Sequence, residues 1–381
     1  MENAVTQHDN HGLATRLVHA GDPQNPRRSV AVPVVDSAAF VMENYAHHMQ
    51  IEETLSTAPY YSRGYNPTVE ALETKLAAIE SAPAALAFNA GMAAISTTLL
   101  TLGRNGGHII ASDKVFSTST RWLQENFSTF GGEVTFVNCN DLAEVEAAFR
   151  PNTRAVFFEE FTNPLLNVLD LEGLIALAHA HEALAVVDNT FASPALFRPY
   201  EFGADLVVHS ATKYMSGHGR VLAGALSGHQ ALIVEIAELR RQMGTIITPH
   251  NAAGILQGLQ TLDLRVGRAS ETAHRLALLA VDHEATADVY YPGLPGNVGH
   301  DIATRLTGGR YGGMLSFTLN DQSKKAAVYD AFELIIRATS LGDVASLVDS
   351  TDDPDVLRIS VGIEDPDDLA ADLEKALNAA L

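Results

Sequence analysis

Lys213 lies in the stretch His209-Ser210-Ala211-Thr212-Lys213-Tyr214, just past the apolar run Leu206-Val207-Val208. That run reads as the end of a strand. A lysine packed tightly there is desolvated, and a desolvated amine gives up its proton more readily. Such an amine can form a Schiff base with an aldehyde. Ser210 and Thr212 place hydroxyls on either side of it, suited to grip a phosphate. Upstream, the short apolar run Leu184-Ala185-Val186-Val187 ends in the carboxylate of Asp188. A carboxylate at a strand end can keep a pyridine nitrogen protonated. The aldehyde cofactor with both a phosphate and such a ring is pyridoxal phosphate, PLP, whose usual anchor is a Schiff-base lysine with an acidic partner for the ring nitrogen.

The elements that must hold these groups alternate along the chain. Tyr61-Ser-Arg-Gly-Tyr-Asn-Pro-Thr68 is a loop, and Pro67 suits the first turn of the helix that follows. Val69, Leu72, Leu76 and Ile79 share one face of that helix. A buried strand is expected over 84–88. Asn89-Ala90-Gly91-Met92 then turns into an apolar helix over 92–102, and free N–H groups at such a start attract an anion. Strands are expected at 108–111, 134–137, 155–159 and 185–188, with helices at 118–130, 142–149 and 171–182. This alternation predicts an α/β fold with a mostly parallel sheet between helices. Ligands in such sheets bind beyond the carboxyl ends of strands. Asn163, Asp188 and Lys213 all follow strands. A long helix is expected over 252–280, strands over 314–319 and 356–361, and a closing helix over 366–381 capped by Asp365.

Composition bounds the function class. The chain has 381 residues, 46% hydrophobic and 19% charged, as in a soluble globular enzyme. Its net charge of −21 argues against a nucleic-acid or anionic-membrane partner. With Cys139 the single cysteine, no internal disulfide can form, and a reducing compartment fits. The start, Met1 to Gly12, is polar and lacks a secretory core. No run approaches the roughly 20 apolar residues that span a bilayer. A cytoplasmic protein is expected. Its predicted organisation is an arm at 1–60 that makes oligomer contacts, a large cofactor-binding domain at 61–250 and a small α/β domain at 251–381. His179 and His181 are spaced by two and point to different helix faces, so no metal is expected there. Asp349, Asp352, Asp353 and Asp355 lack the glycine and closing glutamate of a calcium loop. Gly308-Gly309 and Gly312-Gly313 read as turn residues.

From Leu13-Ala-Thr-Arg-Leu-Val-His-Ala-Gly21 to Ser360-Val-Gly-Ile-Glu-Asp365, the chain resembles the cystathionine/methionine-metabolism family of fold-type I PLP enzymes. The specific blocks are Tyr61-Ser-Arg63 with Asn66-Pro-Thr68, Gly91-Met92, Thr162-Asn-Pro164, Val187-Asp-Asn-Thr190 and His209 to Lys213. Lys213-Tyr-Met-Ser-Gly-His-Gly219 and Thr248-Pro-His250 bring it nearest to the γ-lyases. The resemblance implies an aspartate-aminotransferase-like fold and a lyase that removes a γ-substituent from an L-amino acid, giving a 2-oxo acid and ammonia. Replacement at the γ-carbon, of the cystathionine γ-synthase or O-acylhomoserine sulfhydrylase type, shares every site residue, as does cleavage of cystathionine.

By the same resemblance Lys213 holds PLP as a Schiff base and Asp188 pairs with the pyridine nitrogen. Ser210, Thr212, Gly91 and Met92 hold the phosphate. Tyr61 and Arg63 complete that site from a neighbouring subunit, in a homotetramer built of active dimers, with Tyr61 sharing proton transfer with Lys213. Asn163 contacts the ring hydroxyl, and Arg358 with Ser340 binds the substrate carboxylate. Arg suits that task because its planar fork matches a carboxylate. Three departures stand out. Phe116 replaces a tyrosine that stacks on the cofactor, keeping the ring and losing the hydroxyl. The segment Ser346 to Pro354 is much shorter than the family's. Arg220, Arg240 and Arg241 stand where γ-lyases of methionine carry acidic or lysine residues, so a bulkier or more polar γ-substituent is expected.

Overall fold

The computed structural model describes residues 11–21, 29–52 and 60–381. Part of the expected 1–60 arm lies outside these residues. Seven strands form the first sheet: β1 (Ala84–Phe88), β2 (His108–Ser112), β3 (Glu133–Val137), β4 (Thr153–Glu159), β5 (Leu184–Asp188), β6 (Leu206–His209) and β7 (Gly224–Gly228), in the order β1-β7-β6-β5-β4-β2-β3. The pairs from β6 through β5, β4 and β2 to β3 are parallel. β7 runs antiparallel to both β1 and β6. Its sequence, Gly-Ala-Leu-Ser-Gly, carries no apolar alternation, which is why the sequence pattern does not announce it.

Both faces of this sheet are covered by apolar packing, as a parallel sheet requires. Phe158, Val187 and Val207 pack on one side, and Phe157, Val186 and Val208 on the other. The strands therefore read as unbroken apolar runs. A second sheet is built from β8 (Thr286–Tyr290), β9 (Met314–Leu319), β10 (Ile336–Arg337), β11 (Leu347–Ser350) and β12 (Leu357–Ser360), in the order β10-β11-β12-β9-β8. It carries its own core, with Leu315, Phe317, Ile359 and Leu373 buried together. The closing helix Pro366–Asn378 packs there, and the Asp365 side chain caps it by accepting from Asp367 N–H.

Two expected helices are divided. The expected helix at 118–130 is a helix Ser117–Glu125 followed by a 3-10 turn Phe127–Phe130. Asn126 leaves the helical region there, and Phe127 turns fully into the core against Trp122. The expected helix over 252–280 is Pro249–Leu259 and Leu262–Asp282. At the break, the Gly258 carbonyl accepts a hydrogen bond from the Arg265 guanidinium at 2.7 Å. The extended stretch around Val35 forms no strand. It docks on the start of the helix Pro67–Ile79, where Asn66 Nδ2 donates to Val35 O and Val35 N–H donates to Thr68 Oγ1, both at 2.9 Å.

Candidate active site

The carboxyl ends of β4, β5 and β6 open into a cavity of about 270 Å³. Gly91, Met92, Phe116, Asn163, Asp188, Ser210, Thr212, Lys213, Ser340 and Arg358 all line it. Nearly the whole set expected from sequence is thus brought to one place. Tyr61 and Arg63 are not. Both are exposed, Arg63 stands over the Tyr61 ring and donates to the Arg241 carbonyl, and Arg63 lines a separate cavity. Arg240 and Arg241 also miss the first cavity. Arg240 is buried against Glu73 and the Ala87 carbonyl, Arg241 pairs with Glu238, and Arg220 is exposed. Within this chain these arginines do not line the first cavity.

Lys213 follows β6 through a turn in which its N–H donates to Ser210 O. Arg265, which the sequence pattern does not single out, braces the next residue: its Nη1 donates to Tyr214 O at 2.8 Å. Burial pushes the Arg265 guanidinium down to about 10. Lys213 Nζ donates to Ser340 Oγ at 2.9 Å. Ser340 has φ +112, an unusual conformation for a residue with a side chain. Gly342, two residues on, has φ +77, and a Cβ there would come within 2.6 Å of Tyr214 N. That close approach presses the Ser340 segment against the lysine loop. Desolvation lowers the Lys213 amine, the Arg358 charge lowers it further, and Asp343 and Asp349 oppose both. The amine is therefore more readily neutral than a surface lysine.

Asp188 ends β5 and is only 5% exposed. Burial raises its carboxyl, opposed by donors from Thr190 and the nearby His209. Thr190 gives it both N–H at 3.0 Å and Oγ1–H at 2.5 Å. The same Thr190 Oγ1 accepts from Ser210 N–H at 2.8 Å, so one hydroxyl ties the acid to the lysine loop. Thr190 lies inside the block Val187-Asp-Asn-Thr190, yet its type alone assigns it no role. His209 sits behind this row, with Nε2 2.5 Å from Glu80 Oε1 in a fully buried pair.

At the far end, the helix Gly91–Gly103 begins without a side-chain cap, because Ala90 has no acceptor. Ala90, Gly91 and Met92 line the cavity beside Ser210. A Cβ on Gly91 would stand 2.8 Å from Ser210 Cβ, so the cradle exists only because residue 91 has no side chain. Thr212 Oγ1 is already engaged with the Ala223 main chain, donating to O and accepting from N–H. Arg358 is 7% exposed. Its Nη1 donates to Asn163 Oδ1 at 2.7 Å and its Nη2 to Asp349 Oδ2 at 3.0 Å. Asp349 faces Arg358 across β11 and β12 and holds the guanidinium in place. Ser340 lines the same cavity as Arg358, and its hydroxyl accepts from Lys213 there. Glu159, which ends β4, also lines the cavity, and its Oε1 accepts from Phe116 N–H at 2.6 Å.

This donor set fits a phosphorylated pyridine aldehyde. An uncapped helix start with a glycine cradle would take the phosphate, a buried acid would take the ring nitrogen, and a desolvated amine would take the aldehyde. Among the described residues no group of acidic, His or Cys side chains is arranged to hold a metal ion. No helix among them is long and apolar enough to cross a membrane.

Comparison with known proteins agrees. Residues 14–353 match the model of the family described as Cys/Met metabolism PLP-dependent enzyme. The chain is 36% identical to an L-methionine gamma-lyase of Pseudomonas putida, covering 97% of this chain and 98% of the relative. It is 38% identical to a cystathionine gamma-synthase of Mycobacterium bovis, covering 96% and 97%. A putative O-acetylhomoserine (thiol)-lyase from Campylobacter jejuni, solved with a pyridoxyl-lysine-phosphate residue, superposes with a TM-score of 0.93 at 28% identity, covering 97% of this chain and 100% of that one. The chain is therefore a PLP-dependent enzyme that belongs to the Cys/Met metabolism family.

Proposed function

We propose that this enzyme is a lyase that eliminates the γ-substituent of an L-amino acid, giving a 2-oxo acid and ammonia. One observation carries the reading: Lys213, Asp188 and Arg358 converge on a single cavity in a chain similar over its length to methionine gamma-lyases. Lys213 is the residue that would hold PLP covalently, and Asp188 would face its ring nitrogen. Ser210 and the N–H groups of Gly91 and Met92 would hold its phosphate. Thr212 would contribute little more than packing there, since its hydroxyl is already committed. Bound PLP supplies the electron sink that makes protons at the α- and β-carbons of the amino acid removable.

The chain's own groups do the rest. Arg358 binds the α-carboxylate, with Asn163 and Asp349 fixing its fork. Lys213 Nζ, lowered by burial, takes the α-proton, hands it on within the cavity and, neutral again, takes a β-proton, with Ser340 Oγ holding the amine in reach. Phe116 walls the cavity as a flat apolar ring. Having no hydroxyl, it leaves proton traffic to Lys213 and to Tyr61 of the partner subunit. Water enters, and the amine leaves as ammonium while the γ-group leaves protonated. A panel of γ-substituted amino acids, assayed for 2-oxo acid and ammonia with and without a thiol, tests this. Turnover that requires the thiol and yields no 2-oxo acid would reject elimination.

Replacement at the γ-carbon is the competing reading. It is favoured by the slightly higher identity to cystathionine gamma-synthases, 38% against 36%. We further infer an active dimer, doubled into a tetramer, in which Tyr61 and Arg63 serve the neighbour's phosphate site. Their exposure and their absence from this chain's own cavity support that reading. The arm, large and small domains at 1–60, 61–250 and 251–381 are proposed with it, as is a cytoplasmic location for a chain whose lone thiol, Cys139, is buried and unpaired.

A further inference from the structure

Strand register sets Glu159 at the end of β4 directly beside Asp188 at the end of β5, on the same face of a parallel pair. Both side chains line the cavity, and they are only 7% and 5% exposed. Two carboxylates this close in a dry site cannot both carry charge. The groups around each decide which one does. Asp188 receives two donors from Thr190 and lies near His209. Glu159 receives one, the Phe116 N–H. The cation that acts on Glu159 is Arg358, which is already engaged with Asp349 and Asn163. Glu160, the next residue along, is fully buried with no side-chain partner, only the main-chain N–H groups of Glu160 and Ala192 beside its carboxyl, and it adds a third acid to the neighbourhood. Burial and Asp188 accordingly push the Glu159 carboxyl well above the usual carboxylate range.

Phe116 supplies the second half of the observation. It precedes the helix Ser117–Glu125 in a position where no side chain caps the first turn. The residue is 44% exposed, so core packing fixes its ring weakly. The bond from its N–H to Glu159, together with the buried Val115 before it, ties this wall of the cavity to the sheet.

We propose that Glu159 is a positioning residue: an uncharged carboxyl that anchors the Phe116 backbone at the cavity wall and leaves the negative charge to Asp188. This rests on the reading of Asp188 as partner of the ring nitrogen and of Phe116 as the cofactor's wall. The test uses purified enzyme with Glu159→Ala, Glu159→Gln and Asp188→Ala. PLP affinity is measured by absorbance titration, and the visible circular dichroism of bound PLP is followed from mildly acid to mildly alkaline pH. Glu159→Ala is expected to weaken PLP binding about tenfold, the worth of one buried hydrogen bond, and to alter the dichroism as the ring shifts. Glu159→Gln keeps an uncharged acceptor for Phe116 and is expected to recover most of both. The proposal is overturned if Gln damages binding as much as Ala does, since a charge would then be required, or if Ala binds PLP like the parent. Should Ala fail to fold, Gln decides alone, and a pH-dependent dichroism absent from the parent would overturn the idea. Asp188→Ala separates the levels: bound PLP whose absorbance and dichroism match the parent's there would sink the reading of Asp188 as partner of the ring nitrogen, whatever the Glu159 variants do.

Discussion

Thr190 shows how much a single hydroxyl does at this site. It donates to Asp188 and accepts from Ser210, so it both feeds the anion and fixes the turn that carries Lys213. Thr190→Val keeps the shape and removes both bonds. A hydrogen bond to a charged group is worth about 1.5–3 kcal/mol, so PLP affinity is expected to fall about 10–100-fold in an absorbance titration. Arg358 offers a parallel case on the substrate side. A lysine there retains the charge and loses the fork that Asn163 and Asp349 hold flat. Arg358→Lys is expected to raise KM about tenfold or more for every amino-acid substrate, with a smaller change in kcat, because the α-carboxylate is bound equally before and during reaction. Steady-state kinetics on two substrates with different γ-groups checks that the effect is common to both.

At the scale of elements, the ends of β4, β5 and β6 and the start of the helix Gly91–Gly103 make the site. Gly91→Ala tests the helix start: the added methyl would meet Ser210, and PLP affinity is expected to drop at least about tenfold while the PLP-free protein still unfolds cooperatively. This part of the design was legible in the sequence, because a polar residue ending an apolar run marks a strand's carboxyl end. Asp188 and Lys213 announce themselves that way. Glu159 ends such a run too, after Ala155-Val-Phe-Phe158, yet its meaning depends on Asp188 being its register partner, and register is not written in one strand. Arg265 was hidden for a similar reason, since it reaches the lysine loop from a distant helix. The divided helices were hidden because tertiary packing breaks them, where Phe127 turns into the core and where Arg265 takes the Gly258 carbonyl.

The end of β4 also carries Glu160, whose carboxyl is pushed well up by burial first and by Asp188 and Glu159 after that. A carboxyl raised in the folded state gives stability that is fully present below its unfolded value and is lost as pH rises through the folded one. Glu160→Gln removes that dependence. The melting temperature of the PLP-free variant is expected to exceed the parent's at mildly alkaline pH and to approach it near pH 4.5, the unloaded carboxyl's own range. Equal gaps at both ends would contradict this.

For the whole molecule, the question is whose Tyr61 and Arg63 a given Lys213 uses. In one chain they stand exposed and outside the cavity that holds Lys213. A site completed by its neighbour makes a prediction that a self-contained site cannot. Lys213→Ala and Arg63→Ala would each cripple every site in their own oligomers. Mixed within one dimer, they restore one site, formed by Lys213 of the Arg63→Ala chain and the intact Arg63 of the Lys213→Ala chain. The second site then carries both lesions. Random exchange of equal amounts makes half the dimers mixed, so about a quarter of the sites are whole in a twofold assembly. Co-expressed or co-refolded variants are therefore expected to recover activity well above the sum of the parents, approaching a quarter of the unmodified enzyme. Activity no greater than that sum, from mixtures shown by mass spectrometry to contain both chains, would confine each site to a single subunit.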